Sequence, residues 1–181
     1  MVNYTRMHRG TTECRTGYVL RTLQSKHARS YRSLRHQALG EAAPSFGSSL
    51  SEELEKPYRQ YLNDLSQYRR SQSDFILGLF EESGDHLIGF MGFYRQKKLK
   101  TRHKGLIWGM YVHPVHRRKG LGRWMLTDVI TRIRRQEDLE IVNICVVSQN
   151  AEAMQLYEDL GFVTFGKEPK AFKLEGVYYD I

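Results

Sequence analysis

Apolar residues follow two patterns along the chain, and together these predict alternating strands and helices. Short apolar runs bounded by turn residues predict strands at 18–23, 75–80, 87–94, 106–113 and 140–147. Apolar side chains that recur every three to four residues predict helices at 26–40, 51–69, 119–135 and 151–160, and two short strands close the chain. The first residues are polar and irregular, so we predict a flexible N-terminal arm at 1–16 and a single domain at 17–181.

The order of these elements predicts a mixed sheet. The turn at 83–85 joins two predicted strands as a hairpin, which makes them antiparallel. The strand–helix–strand unit from 106 to 147 requires a parallel pair, because a helical crossover returns the chain in the same direction. The predicted fold class is therefore α/β (α+β), with a mixed, mostly antiparallel central sheet flanked by about four helices.

Composition limits the classes of protein that fit. The chain has 181 residues and no apolar stretch of the ~18 residues that a membrane span needs. Its two cysteines, Cys14 and Cys145, do not form a zinc-binding spacing, so no metal is predicted. Cys145 lies in the apolar run at 141–147, which predicts a buried thiol and a reducing, cytoplasmic location. The net charge of +8 fits either a polyanionic partner, such as nucleic acid or a phosphate-rich cofactor, or a basic solvated surface.

A tight basic loop with two glycines, Gly120 and Gly122, lies between the predicted strand at 106–113 and the predicted helix at 119–135. The first N–H groups of a helix have no partner within the helix, and the helix dipole adds positive potential there. Glycines let a phosphate approach the backbone, so the loop fits a pyrophosphate site. Four cationic side chains add full charges: Arg117, Arg118, Lys119 and Arg123. The alternative is an ordinary basic turn, because the loop matches neither the Walker A sequence nor Gly-x-Gly-x-x-Gly.

Two motifs in this region resemble the signatures of one family. The sequence Arg117-Arg118-Lys119-Gly120-Leu121-Gly122 resembles the Arg/Gln-x-x-Gly-x-Gly/Ala motif of the GNAT superfamily of N-acetyltransferases. Residues 150–162 (NAEAMQLYEDLGF) are similar to that superfamily's second signature, Asn-x-x-Ala-x-x-Leu-Tyr-x-x-x-Gly-Phe. The motifs occur in the expected order, about 30 residues apart, and the resemblance covers roughly residues 18–181.

The resemblance implies a GNAT domain that uses acetyl-CoA as cosubstrate. It implies that the backbone of the glycine loop binds the pyrophosphate, and that the pantetheine arm lies beside the preceding strand where the parallel strands splay apart. Asn150 is expected to cap a helix and also to contact that arm. Tyr157 is implied to be the general acid that protonates the departing thiolate, although its position also fits a core aromatic residue. The implied cofactor-binding residues are Met110, Tyr111, Val112, Arg117, Arg118, Lys119, Gly120, Leu121, Gly122, Arg123, Asn150 and Tyr157.

The sequence does not identify the general base or the acceptor. Many family members carry a Glu in the strand before the loop, but residues 106–112 contain no acidic residue, which leaves His103, His113 or water to accept the proton. The acceptor is expected to be a primary amine of a small molecule or a peptide. Its pocket is expected to involve the 40–50 loop, the second helix, the 95–104 loop and the closing strands. The alternatives are a protein that binds acetyl-CoA without turnover and a basic nucleic-acid-binding module, and the oligomeric state stays open, including a homodimer.

Overall fold

A computed structural model describes residues 2–4 and 16–181, and it contains five α-helices and nine strands over that range. The helices are α1 (Ala28–Glu41), α2 (Leu50–Glu55), α3 (Tyr58–Arg70), α4 (Leu121–Ile133) and α5 (Ala151–Asp159). The strands are β1 (Val2–Tyr4), β2 (Tyr18–Thr22), β3 (Phe75–Glu81), β4 (Leu87–Arg95), β5 (Lys104–Val112), β6 (Ile141–Ile144), β7 (Val163–Thr164), β8 (Phe172–Leu174) and β9 (Val177–Tyr179). Within the same residues, no helix is both long and apolar enough to span a membrane.

Seven strands form one mixed sheet in the order β2-β3-β4-β5-β6-β1-β7. Strands β5 and β6 pair in parallel, and the other neighbours are antiparallel. Strands β8 and β9 form a separate hairpin. The predicted mixed, mostly antiparallel sheet with one parallel pair is therefore confirmed, and the parallel pair is the one that the 106–147 unit requires.

The N-terminal segment contributes a strand. Val2–Tyr4, within the predicted arm, form β1 and pair with both β6 and β7. This strand pairs with backbone groups along the edge of β6. The polar, irregular sequence of the predicted arm did not indicate a strand at this position. Residues 1 and 5–15 of the predicted arm, which include Cys14, lie outside the described residues.

The predicted helix at 51–69 is wrong in one respect, because it is two helices. Helix α2 begins after Ser49, whose side chain accepts from the Glu52 N–H at 3.2 Å, and it ends at Glu55. Pro57 then caps α3. Proline lacks an N–H and disfavours helical geometry in the residue before it, so Lys56 adopts an extended conformation and the helix is interrupted.

Buried side chains form two clusters, to which alternate residues of β3 contribute. Leu77 and Leu79 belong to the cluster that contains α4 and Tyr157, and Ile76 and Phe80 belong to the cluster that contains α1 and α3. This alternation follows from the two-residue repeat of a strand. The sheet thus has helices packed on both faces.

Candidate active site

Strands β5 and β6 separate partway along their length. Their pairing runs from Lys104↔Ile141 to Ile107↔Ile144, but β5 continues to Val112. In the part of the chain that the structure describes, residues 108–112 have no partner strand on that side. A cavity of about 490 Å³ occupies the gap, and both strands and the N-terminal turns of α4 and α5 line it. Free strand backbone along a cavity can pair with an extended ligand.

A bulge shapes β5 beside this cavity. Phe90 of β4 lies opposite Tyr111, whereas Gly92, two residues on, lies opposite Trp108, three residues back. Strand β5 therefore carries one extra residue, and Gly109 takes a positive φ of 65°. Glycine in this conformation is typical of a bulge next to a functional site.

The loop before α4 and the first turn of that helix line one side of the cavity. A short 3₁₀ turn at Pro114–His116 is followed by left-handed backbone at Arg118 and at Gly120, which caps α4 with φ 71°. A Cβ at Gly122 would lie 2.6 Å from Cε of Met110, so a larger residue here would displace that flexible methyl at the cavity wall. A pyrophosphate fits these features, because it needs unobstructed helical N–H groups and nearby cations.

Cationic side chains surround the mouth of the cavity, and two are held by helix α5. Arg118 pairs with Glu152 at 2.6 Å, and Arg123 pairs with Asp159. Arg117 donates through Nε to the Val112 carbonyl at 2.8 Å. The cavity walls thus bring together all of the predicted cofactor-binding residues except one.

The exception is Lys119, whose ammonium donates to the hydroxyl of Tyr18 at 3.0 Å and lies 5.7 Å from the centre of that ring. The side chain therefore extends toward β2 and not into the cavity. The sequence motif could not show this, because adjacent residues of a tight loop point in different directions.

Tyr157 lies at the inner wall of the cavity. Its side chain is 5% exposed, and its hydroxyl donates to the sulfur of Met110 at 3.9 Å. Burial raises the pKa of this phenol above its ordinary value, so the hydroxyl stays protonated and remains a donor. Asn150 caps α5, because its Oδ1 accepts from the Ala153 N–H at 3.1 Å, and it also lines the cavity.

Neither predicted histidine base lies in the cavity walls formed by residues 16–181. His103 precedes β5, where its carbonyl accepts from the N–H groups of Glu140 and Ile141. At ~3.3 Å per residue, it is roughly 20 Å from Gly109 along the strand. His113 follows β5, and its backbone N–H donates to the carbonyl of Ile88 at 2.7 Å.

Cys145 is exposed, which contradicts the prediction of a buried thiol. Strand β6 ends at Ile144, so the next residue lies where the two strands have already separated, and it lines the cavity. Desolvation by the surrounding walls raises the pKa of the thiol, which keeps it protonated and a poor nucleophile.

Glu41, the last residue of α1, holds a residue of the cavity wall and was not predicted from the sequence. The hydroxyl of Tyr111 donates to its Oε2 at 2.7 Å, and this hydrogen bond, together with one from Gln37, lowers the pKa of the carboxyl. Glu41 thereby fixes the Tyr111 side chain against α1. The two residues are 70 positions apart, so no local pattern could have connected them.

Comparisons with known proteins agree with this geometry. The model of the acetyltransferase (GNAT) family matches residues 37–162. The chain is 35% identical over 72 residues to the L-methionine sulfoximine/L-methionine sulfone acetyltransferase of Salmonella typhimurium, an alignment that covers 40% of this chain and only 42% of that relative. It is 25% identical to the spermidine N(1)-acetyltransferase of Vibrio cholerae over 72% of this chain and 69% of that one.

A solved structure has the same fold. The Salmonella typhimurium protein yncA, solved with its cofactor acetyl-CoA, has a TM-score of 0.76 at 22% identity, over 91% of this chain and 90% of that one.

Proposed function

Because the chain belongs to the acetyltransferase (GNAT) family, we propose that it transfers the acetyl group of acetyl-CoA to a primary amine of a small molecule or a peptide. The observation that carries this proposal is the cavity between the separating strands β5 and β6, which meets the glycine-containing N-terminus of α4 at a basic mouth. A cytoplasmic location, expected from the sequence, stays a prediction.

The cavity offers binding surfaces for the pyrophosphate and the pantetheine arm of acetyl-CoA. The backbone N–H groups of the first turn of α4, with the side chains of Arg117, Arg118 and Arg123, would hold the pyrophosphate. The unpaired edge of β5 at 110–112 would hydrogen-bond the pantetheine arm. When bound there, acetyl-CoA supplies an activated acetyl thioester in the gap between the strands.

Tyr157 is the residue that we propose as the general acid. Its hydroxyl lies at the cavity wall and donates to the sulfur of Met110 at 3.9 Å, a long hydrogen bond that a departing thiolate could replace. Because burial raises its pKa, the phenol stays protonated and can donate to the sulfur of a departing thiolate. Transfer is direct, so the poorly nucleophilic thiol of Cys145 needs no role as an acyl carrier.

Water is the proton acceptor that the site favours. The only acidic side chain that lines the cavity, among the residues that the structure describes, is Glu152, which is paired with Arg118 at the mouth. The amine must lose a proton to attack, and no histidine or free carboxylate of the described walls is placed to receive it. Proton transfer to solvent through the open cavity is therefore part of the proposal.

A thiol-release assay tests the proposed function. The protein is incubated with acetyl-CoA and a panel of amino acids, polyamines, aminoglycosides and peptide N-termini, and acetyl-CoA binding is measured separately by calorimetry. We expect binding, and thiol release with one class of amine. Binding without release across the panel would instead support an acetyl-CoA-binding protein without turnover, and absence of binding would refute the proposal.

A further inference from the structure

A second, smaller cavity adjoins the first. It has a volume of about 220 Å³, below the ~300–1,000 Å³ of pockets for drug-sized ligands, so it fits a small molecule. It shares part of its wall with the first cavity at 107–109 and 145–147, the segments where the strands separate. A molecule in it would therefore lie next to the position at which the proposed function requires the thioester.

The walls of this second cavity contain aromatic and aliphatic side chains, two serines and one charged side chain. Three rings, those of Phe46, Trp108 and Phe172, line it together with aliphatic residues. The charged side chain is Arg35, and the described walls contain no acidic side chain. The positive charge of Arg35 favours a small acceptor that carries an anionic group and an apolar part.

Arg35 is buried and not fully hydrogen-bonded. Its Nε lies 3.0 Å from Oε2 of Glu53, and its Nη2 donates to the Ser48 hydroxyl at 3.3 Å. Its Nη1 is buried and has no hydrogen-bond partner among the described residues. The other oxygen of Glu53 already accepts from the hydroxyl of Tyr61 at 2.7 Å, so this carboxylate is fully engaged. A buried cationic N–H without an acceptor is costly, and a bound anion would remove that cost.

The position of Nη1 limits the shape of the acceptor. It lies 3.9 Å from the point that a Cβ on Gly109 would occupy, and Gly109 lines both cavities. A group bound by Nη1 would thus lie beside the boundary between the cavities. Because the amine must reach the thioester in the first cavity, only a few bonds can separate the amine from the group that Nη1 binds. An α-amino acid has this arrangement, because one carbon carries both the carboxylate and the amine.

We propose that the second cavity is the acceptor site and that it selects small α-amino acids with apolar side chains, whose carboxylate binds Arg35. The inference rests on the proposed acetyltransferase activity and narrows its acceptor. The competing interpretation is that Arg35 only anchors α1 to α2 through Glu53. The two differ in what they predict for acceptors that lack the carboxylate.

Matched acceptors test the inference without any variant. We compare kcat/KM for L-leucine, L-leucinamide and 3-methylbutylamine, and for L-phenylalanine, its amide and 2-phenylethylamine. Loss of a charge-assisted hydrogen bond corresponds to roughly 10- to 100-fold, so the free acid should exceed the amide and the amine by that factor. Thiol release without this preference would overturn the inference and leave the proposed function standing, whereas absence of release with every amine tested would overturn both.

Two variants then assign the preference to a residue. Arg35→Met should abolish the preference for the free acid while the calorimetric Kd for acetyl-CoA stays at the parental value. Glu53→Gln is the matched control, because it weakens the anchor between α1 and α2 but keeps the guanidinium, so the preference should persist. If Arg35→Met retained the preference, or if Glu53→Gln abolished it equally, Arg35 would be an anchor only.

Discussion

Replacement of Tyr157 by Phe separates a chemical role from a packing role. The hydroxyl donates to the sulfur of Met110 at 3.9 Å, a long and weak hydrogen bond, and the ring packs 6.0 Å from that of Phe162. Phe keeps the ring contacts, so we expect the melting temperature to stay near the parental value. The loss of a general acid typically costs ~10²–10⁴-fold in rate, which corresponds to about 3–5 kcal/mol in the barrier. The turnover number should fall by that factor.

The assay measures thiol release at saturating acetyl-CoA with an acceptor identified in the amine panel, and calorimetry gives the Kd for acetyl-CoA, which should barely change. Tyr31→Phe is the control, because Tyr31 is 4% exposed, packs edge-on to Phe90 and does not line either cavity. It should retain parental turnover. Because burial raises the pKa of Tyr157, the parental rate should show no alkaline decrease from this group up to its ordinary value near ~10. Parental turnover in Tyr157→Phe would refute the role as general acid.

Three further predictions concern the cofactor cavity and the α1–α2 anchor. Gly120→Glu places a carboxylate at a left-handed position of the anion site, so the Kd for acetyl-CoA should rise at least ~10-fold. Gly120→Asn is the control and should be less affected, because asparagine tolerates this conformation. Equal calorimetric Kd values for Gly120→Glu and the parent would contradict the assignment of the anion site. Gly122→Ala should gain helix propensity, up to ~1 kcal/mol, yet weaken acetyl-CoA binding, because its Cβ would displace the Met110 methyl and would obstruct the approach of the pyrophosphate to the backbone. Melting temperature and calorimetry together check this. Burial acts to raise the pKa of Glu53, but the Tyr61 hydrogen bond and its arginine partner outweigh burial and lower it. Its stabilisation is thus present above the unfolded value near ~4.3 and lost as pH falls through the folded value, so melting temperatures of Glu53→Gln should lie below the parental ones at pH 7 and approach them in acid.

The features that the sequence could predict are those that local patterns determine. The loop at 117–123 and the segment 150–162 carry their spacing in consecutive residues, so the structure brings Gly120, Asn150 and Tyr157 to one cavity. The parallel pair followed in the same way from a single strand–helix–strand unit. The parallel pair needed only the order of the elements, whereas the common placement of the three residues was implied by the resemblance of the two motifs to the GNAT signatures.

The features that the sequence could not predict depend on contacts between distant elements. In the sequence, nothing distinguishes Arg35 from the other arginines of α1. Only the fold places it against Glu53 and the second cavity. Cys145 follows an apolar strand, yet the separation of β5 and β6 exposes it. The break between α2 and α3 was different, because Pro57 stood in the sequence as a sufficient signal.

One extra residue in β5 determines which of its side chains pack with which hydrophobic cluster. In a regular strand, residues two apart share a face, so Trp108 and Met110 would point the same way. With the bulge at Gly109, Trp108 and Tyr111 pack with the cluster of α1 and α3, whereas Met110 packs with the cluster of α4 and reaches Tyr157. A strand without the bulge would turn Met110 away from the phenol and Tyr111 toward it. The positive φ of 65° at Gly109 is therefore the local condition that places the sulfur of Met110 beside the phenol of Tyr157.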